Sequence, residues 1–166
     1  MTTVFGCDQR ISKSSAIAEA LGALDEINSF LGLCKVHKES VSFSEIIHKV
    51  QQNLFIIQAE LAGAQKSISE DRIKEIEKII DAVEKELPLI KTFFISGGTE
   101  LSALFDVART IARRAERRVV KVSEEGKQKI SENSLAYLNR LSSLLYALAR
   151  LTNHKSAITE QIPDYQ

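Results

Sequence analysis

The stretch from Ala108 to Val120 gathers Arg109, Arg113, Arg114, Arg117 and Arg118 around Glu116 within about three turns of a helix. Five arginines that close repel one another. At roughly 100° per residue, Arg109, Arg113 and Glu116 share a face beside the apolar stripe, whereas Arg114 and Arg118 point toward the opposite side. Further on, Asn139, Ser143, Tyr146 and Arg150 fall on a comparable flank of a second helical stretch. Packing the two flanks together brings guanidinium forks, an amide and hydroxyls to one polar cleft along the core edge. Guanidinium groups bind phosphate oxygens in bidentate fashion and keep their charge at any relevant pH. Such a cleft therefore suits a polyphosphate, held and then stabilised as a leaving group, with Glu116 orienting the arginines. A solvated charged face laced with intrahelical ion pairs accounts for the same spacing equally well, and spacing alone does not choose between them.

Other residue types narrow the chemistry further. His37, His48 and His154 are scattered, without the His and Glu spacing of a di-iron bundle or a zinc helix, so no protein-held metal site is expected. Cys7 and Cys34 lie in dissimilar contexts, show no CxxC pairing and read as reduced thiols. Phe93, Phe94 and Phe105, taken alone, read as core aromatics. The 22 basic and 22 acidic side chains cancel. Nucleic acid would have to be held by the arginine cluster alone, and the lack of interleaved exposed aromatics speaks against it. No apolar run approaches the roughly eighteen residues of a membrane span, and the N-terminus lacks the basic and apolar regions of a signal peptide, which predicts a cytoplasmic protein.

Helices must position these groups. At 166 residues the chain is one ordinary domain long, with 44% hydrophobic residues, no Trp and two Pro. Ile17, Leu21, Leu24, Ile27, Leu31 and Cys34 recur at three and four, giving a first helix capped by Ser14 or Ser15. Ser42 with Glu45 has capping-box spacing and opens a second helix through Ile46, Val50, Leu54, Ile57 and Leu61 to near Gly63. A loop from Lys66 to Glu70 leads to a third helix, Ile73 to Leu87, which Pro88 stops. Lys91 to Gly98 reads as an extended loop, and Thr99 caps a fourth helix buried through Leu101, Leu104, Ala108, Ile111, Ala115, Val119 and Val122. The Gly126 region separates it from a fifth, about Ser131 to Asn153, carrying Leu135, Leu138, Leu141, Leu145 and Leu148. No strand alternation competes, so the expected fold is an all-α, five-helix antiparallel bundle over residues 1–153, followed by a weakly ordered tail, residues 154–166.

Four ordered segments carry a resemblance: Glu19 to Gly32 (EALGALDEINSFLG), the Phe93 to Gly98 loop, Ala108 to Arg117 (ARTIARRAER) and Tyr137 to Ser142 (YLNRLS). Together they resemble the trimeric class of ATP:cob(I)alamin adenosyltransferases over about Thr3 to Arg150, with the Arg-Arg-Ala-Glu-Arg stretch the most diagnostic. The resemblance implies a homotrimer of ferritin-like, cobalamin adenosyltransferase-like bundles with active sites between neighbouring subunits. By position, Thr3, Lys13, Arg113, Arg114, Glu116, Arg117 and Asn139 match residues that bind ATP in the family, with Arg140 in support. Asp25 and Arg109 match a pair that joins adjacent subunits beside the site. Phe93 matches the phenylalanine that occupies the lower face of the corrin ring and leaves a four-coordinate cobalt. The implied reaction is attack of cob(I)alamin cobalt on the ribose 5′-carbon of ATP, with Mg2+ held mainly by the phosphates and no protein nucleophile or general base. A reductase and an adenosylcobalamin-dependent client enzyme are further implied partners.

The chain departs from the family pattern at Ser96, where proline is usual, at Asp106, where histidine is usual, and at Ser143, where aspartate is common. Family members also open on a Thr, Arg or Lys, Thr, Gly, Asp segment that wraps the triphosphate. Here Met1 stands just before Thr3, so a natural start upstream of Met1 is expected. The rival expectation is a non-catalytic corrinoid-binding or trafficking trimer with an impaired ATP site.

Overall fold

The computed structural model describes residues 1–5, 9–90 and 92–165, with the backbone alone for residues 3–5 and Gln9. Five helices carry the architecture: α1 (Ala16–Val36), α2 (Ser44–Leu61), α3 (Glu70–Glu86), α4 (Glu100–Glu124) and α5 (Glu132–Lys155). Serine and threonine caps start three of them, at Ser15 and Thr99 as the sequence leads one to expect and also at Ser131. The hydroxyls of Ser15, Thr99 and Ser131 accept from the amides of Ala18, Ser102 and Ser134 at 3.1–3.2 Å. Leu87 ends α3 just before Pro88, and Gly63 at φ +89° closes α2.

Two expectations are corrected. Ser42 and Glu45 form no capping box: residues Lys38–Phe43 wind into a 3-10 helix, and Phe43 stands at the N-cap of α2 without a side-chain cap bond. The cause is packing, because Phe43 is buried and sets its ring edge-on to Phe105 at 5.8 Å, so the chain is already wound before Ser44. The chain also has strands, since β1 (Thr2–Phe5) pairs antiparallel with β2 (Gln9–Ser12), Thr3 facing Ile11. Four residues apiece are too few for a period of two to stand out in the sequence. Cys7 lies outside the described residues.

Side-chain pairs give the helix directions. Glu19 and Glu26 of α1 meet Arg118 and Arg114 of α4, so these two run antiparallel. Gln51 of α2 donates to the Asn28 carbonyl of α1, and Lys35 lies against His48, again antiparallel. Asn139 meets Glu116 and Asn153 meets Gly97, which sets α5 antiparallel to α4. Arg140 meets Glu77 and Arg150 the Pro88 carbonyl, so α3 runs alongside α5 in the same direction. Leu24, Ile27, Leu31, Leu54, Ile57, Leu101, Phe105, Leu138 and Leu141 are completely buried between the helices. The thiol of Cys34 belongs to this core, and burial pushes it up to about 11, an inert side chain at neutral pH.

Two buried polar clusters tie helices together, while Asn28 Oδ1 and Gln58 Nε2 are buried without a hydrogen-bond partner among the described residues. The carboxylate of Glu60, near the end of α2, accepts from the Ser131 amide at 2.8 Å and from the Ser134 hydroxyl, tying α2 to the first turn of α5. Asn53 donates to the Tyr137 hydroxyl at 2.9 Å and accepts from Arg72. Replacing Glu60 by Ala strands the Ser131 amide and the Ser134 hydroxyl, and is expected to cost about 2–3 kcal/mol, read from the midpoint of urea unfolding. Burial also raises the Tyr137 phenol from 10.0 to about 12. The folded chain keeps that proton where the unfolded chain releases it, so stability is whole below pH 10 and falls as pH rises toward 12, by about 2–3 kcal/mol. Tyr137→Phe should flatten this alkaline slope in unfolding curves taken across that window.

Candidate active site

Helix α4 divides its arginines between two sides, as its periodicity requires. Arg114 and Arg118 reach back to α1, pairing with Glu26 at 2.5 Å and Glu19 at 2.7 Å. Arg109, Arg113 and Arg117 face the other way, toward the flank of α5. Asn139 of α5 donates to Glu116 at 2.9 Å, and Arg113, Glu116, Arg117, Val120 and Asn139 line a cleft of about 240 Å³. Arg113 and Arg117 make no ion pair among the described residues, so their guanidinium groups stay available to an anion.

A second, larger cleft of about 600 Å³ adjoins the first and shares Arg113 with it. One wall is the loop between α3 and α4, contributing Ile90, Phe93, Phe94 and Ile95; the other is Asp106, Arg109 and Arg113 of α4 with Ser143, Tyr146 and Arg150 of α5. Phe93 is 78% exposed, so the core reading of this ring is overturned, while Phe105 is fully buried and Phe94 half-buried beneath Arg150. An exposed phenylalanine on a cleft rim has surface to offer an apolar ligand face.

The end of that loop is fastened from three directions. Asp106 accepts from the Gly97 amide at 3.2 Å, Ser102 donates to the Gly97 carbonyl at 3.1 Å, and Asn153 donates to the same carbonyl at 2.8 Å. Asn153 also accepts from the Thr99 amide at 3.0 Å, and its Oδ1 lies 2.3 Å from where a β-carbon on Gly98 would sit. Gly98, at φ +111°, is therefore required both by conformation and by space. Asp106 does this fastening from nine residues further along the chain and Asn153 from 56, both beyond one helical turn, and no local sequence signal marks them.

Asp106 also accepts from Arg109 Nε at 3.2 Å, and the Arg109 guanidinium lies 5.7 Å from the Tyr146 ring centre and 3.5 Å from the Ser96 hydroxyl. Two of the three departures from the family pattern thus hold the same arginine, and the third, Ser143, lines the cleft. Burial pushes the Tyr146 phenol above its ordinary range. Asp25, exposed on α1, makes no ion pair among the described residues, so a contact with Arg109 does not arise within one chain. Lys13 is exposed just after β2, Arg140 donates to Glu77 of α3 at 3.0 Å, and the side chain of Thr3 lies outside the described atoms.

Known proteins resemble this chain in sequence and in fold. The corrinoid adenosyltransferase PduO of Citrobacter freundii is 37% identical over 160 residues, which is 92% of this chain and 47% of that protein. The corrinoid adenosyltransferase of Bacillus subtilis is 36% identical over 157 residues, 90% of this chain and 80% of that protein. The chain spans about half the length of the PduO relatives it matches. A variant PduO-type ATP:corrinoid adenosyltransferase from Lactobacillus reuteri, complexed with cobalamin and ATP, superposes with a TM-score of 0.91 at 29% identity, covering 98% of this chain and 93% of that one. Another variant of that enzyme, complexed with ATP, gives 0.90 at 30% identity, over 98% and 95%. The family model described as cobalamin adenosyltransferase matches residues 1–152. With that match over nearly its whole length, on a helical bundle superposing this closely, the chain belongs to the cobalamin adenosyltransferase family.

Proposed function

We propose that this chain transfers the 5′-deoxyadenosyl group of ATP to cob(I)alamin, giving adenosylcobalamin and triphosphate. The observation that carries the reading is the position of Arg113 on the wall shared by the two clefts. A triphosphate among Arg113, Arg117 and Asn139 then has its ribose end beside the cleft bounded by Phe93. The cobalt electron pair forms the bond to the ribose 5′-carbon while the carbon–oxygen bond breaks and its electrons leave on the triphosphate. No proton moves in this step, so the protein contributes orientation and charge. Among the described residues, Glu116 is the single carboxylate lining the nucleotide cleft and stands beside guanidinium groups, a donor set too cationic to hold magnesium alone. The ion enters on the phosphate oxygens.

The remaining family roles fit with small rearrangements. Arg114 reaches a nucleotide only by leaving Glu26, and Arg140 only by leaving Glu77. Both pairs are partly exposed, and exchanging such pairs costs about 0–1 kcal/mol each. Thr3 and Lys13, on the segment that precedes α1, complete the phosphate contacts. Phe93 takes the lower corrin face. Asp25 meets Arg109 of a neighbouring copy in a homotrimer, which leaves a lone chain inactive. Residues 1–153 serve as the bundle and 154–166 as its tail, working in the cytoplasm, where ATP, a reductase and a client enzyme are at hand.

Anaerobic adenosylation of chemically reduced cobalamin, followed by its visible spectrum, tests the reaction. Wild type forms adenosylcobalamin, and Arg113→Ala is expected to be slower by about 100-fold or more. Corrinoid binding by wild type without turnover would instead favour the carrier reading. The shared site has its own test: Asp25→Ala and Arg113→Ala chains, inactive separately, should regain about a quarter of wild-type activity when unfolded and refolded together, because a random mixture makes that share of interfaces intact. No regain would mean that both residues serve the same subunit's site.

A further inference from the structure

Arg150 is 5% exposed, yet its guanidinium reaches three other residues, Glu160, Pro88 and Phe94. From α5 it donates through Nε and Nη2 to both oxygens of Glu160 at 2.9–3.1 Å, and through Nη2 to the Pro88 carbonyl at 3.2 Å. Its Cζ stands 5.2 Å from the Phe94 ring centre. One residue beyond Phe94 and Glu160, the Ile95 amide donates to the Gln161 carbonyl at 2.8 Å. The segment after α5 therefore lies along the loop that carries Phe93, held by one buried fork and one backbone bond.

The path of that segment is set at the end of α5. Ala157 adopts φ +54°, while its amide bonds the His154 carbonyl and that of Ile158 bonds the Asn153 carbonyl. This is the six-to-one and five-to-two closure of a Schellman turn, made here by a residue with a β-carbon. It turns the chain back over Arg150. Burying a guanidinium and a carboxylate is costly, and two well-packed apolar side chains would commonly hold the same elements as firmly. What the charged fork adds is direction, because both carboxylate oxygens and one carbonyl must meet it in a single plane.

Resting on the reading of this cleft as the corrinoid site, we propose that Arg150 and Glu160 are a positioning pair that sets the loop from Pro88 to Ile95, and through it the placement of Phe93 against the corrinoid, without acting on the nucleotide. Arg150 touches the loop at Pro88 and Phe94, Glu160 holds Arg150 there, and both line the larger cleft; neither residue lines the cleft of Arg113, Glu116, Arg117 and Asn139.

The test uses the full chain with Glu160→Gln, and with Arg150→Met and Glu160→Met combined, the double variant replacing the charges by apolar side chains of similar length. Both are expected to raise the KM for cob(I)alamin about tenfold while the KM for ATP stays within about twofold, and to speed amide exchange at Ile95. A double variant that melts like wild type and keeps the wild-type corrinoid KM and Ile95 exchange would reduce the pair to a staple and overturn the proposal. Should wild type form no adenosylcobalamin, the assigned reaction fails separately. Ile95 exchange then decides alone: acceleration in Glu160→Gln upholds the positioning role, and no change rejects it.

Discussion

The close approach of Asn153 to Gly97 and Gly98 is the constraint on which both clefts depend. It joins the last turn of α5 to the residues just before α4, where no side chain fits on Gly98 and where Thr99 then caps α4. A helix whose first residue is pinned has its phase pinned too, so every residue of α4 inherits its facing from this junction. Arg109 and Arg113 thereby look toward α5, and Arg114 and Arg118 toward α1. The same junction ends the loop of Phe93, so the aromatic wall and the cationic wall of the larger cleft are set by one group of hydrogen bonds.

Five neighbouring guanidinium groups would cost stability if all remained uncompensated. The fold resolves this by distribution. Two arginines of α4 are neutralised by acids of α1 and one by Asp106 a turn earlier, leaving Arg113 and Arg117 beside Glu116 and Asn139. Charge concentrated in one cleft, on a chain whose formal charge is zero, attracts an anion locally without making the whole surface cationic.

The buried polar groups share a pattern. Glu60, Asn53, Asn153 and Arg150 each sit on a helix and bond to a different helix, loop or tail, so each converts a non-directional apolar contact into one with a defined register. Apolar packing of Leu24, Leu54, Leu101 and Leu138 tolerates small shifts between helices, whereas a buried unpaired donor does not. Precision at the clefts thus comes from polar ties placed at the ends and edges of a leucine-rich core.

The sequence by itself determined the helices and their order, because apolar residues at three and four, serine and threonine caps, Pro88 and the paired glycines are local signals that act over a few residues. It also determined which arginines share a face, since a helix of known period leaves no other choice. Its errors were local in another way: the Ser42 and Glu45 spacing lost to the burial of Phe43 against Phe105, a residue far along the chain, and strands of four residues were too short to register. Only the tertiary structure decided that Phe93 stands exposed while Phe105 is buried, that Asp106 and Asn153 fasten Gly97, and that Arg150 and Glu160 close on the loop after α3. Those outcomes depend on contacts that leave the helix and its period, several of them between residues remote in sequence, whose energies come from burial and directional bonding after the helices have packed, and periodicity carries no record of them.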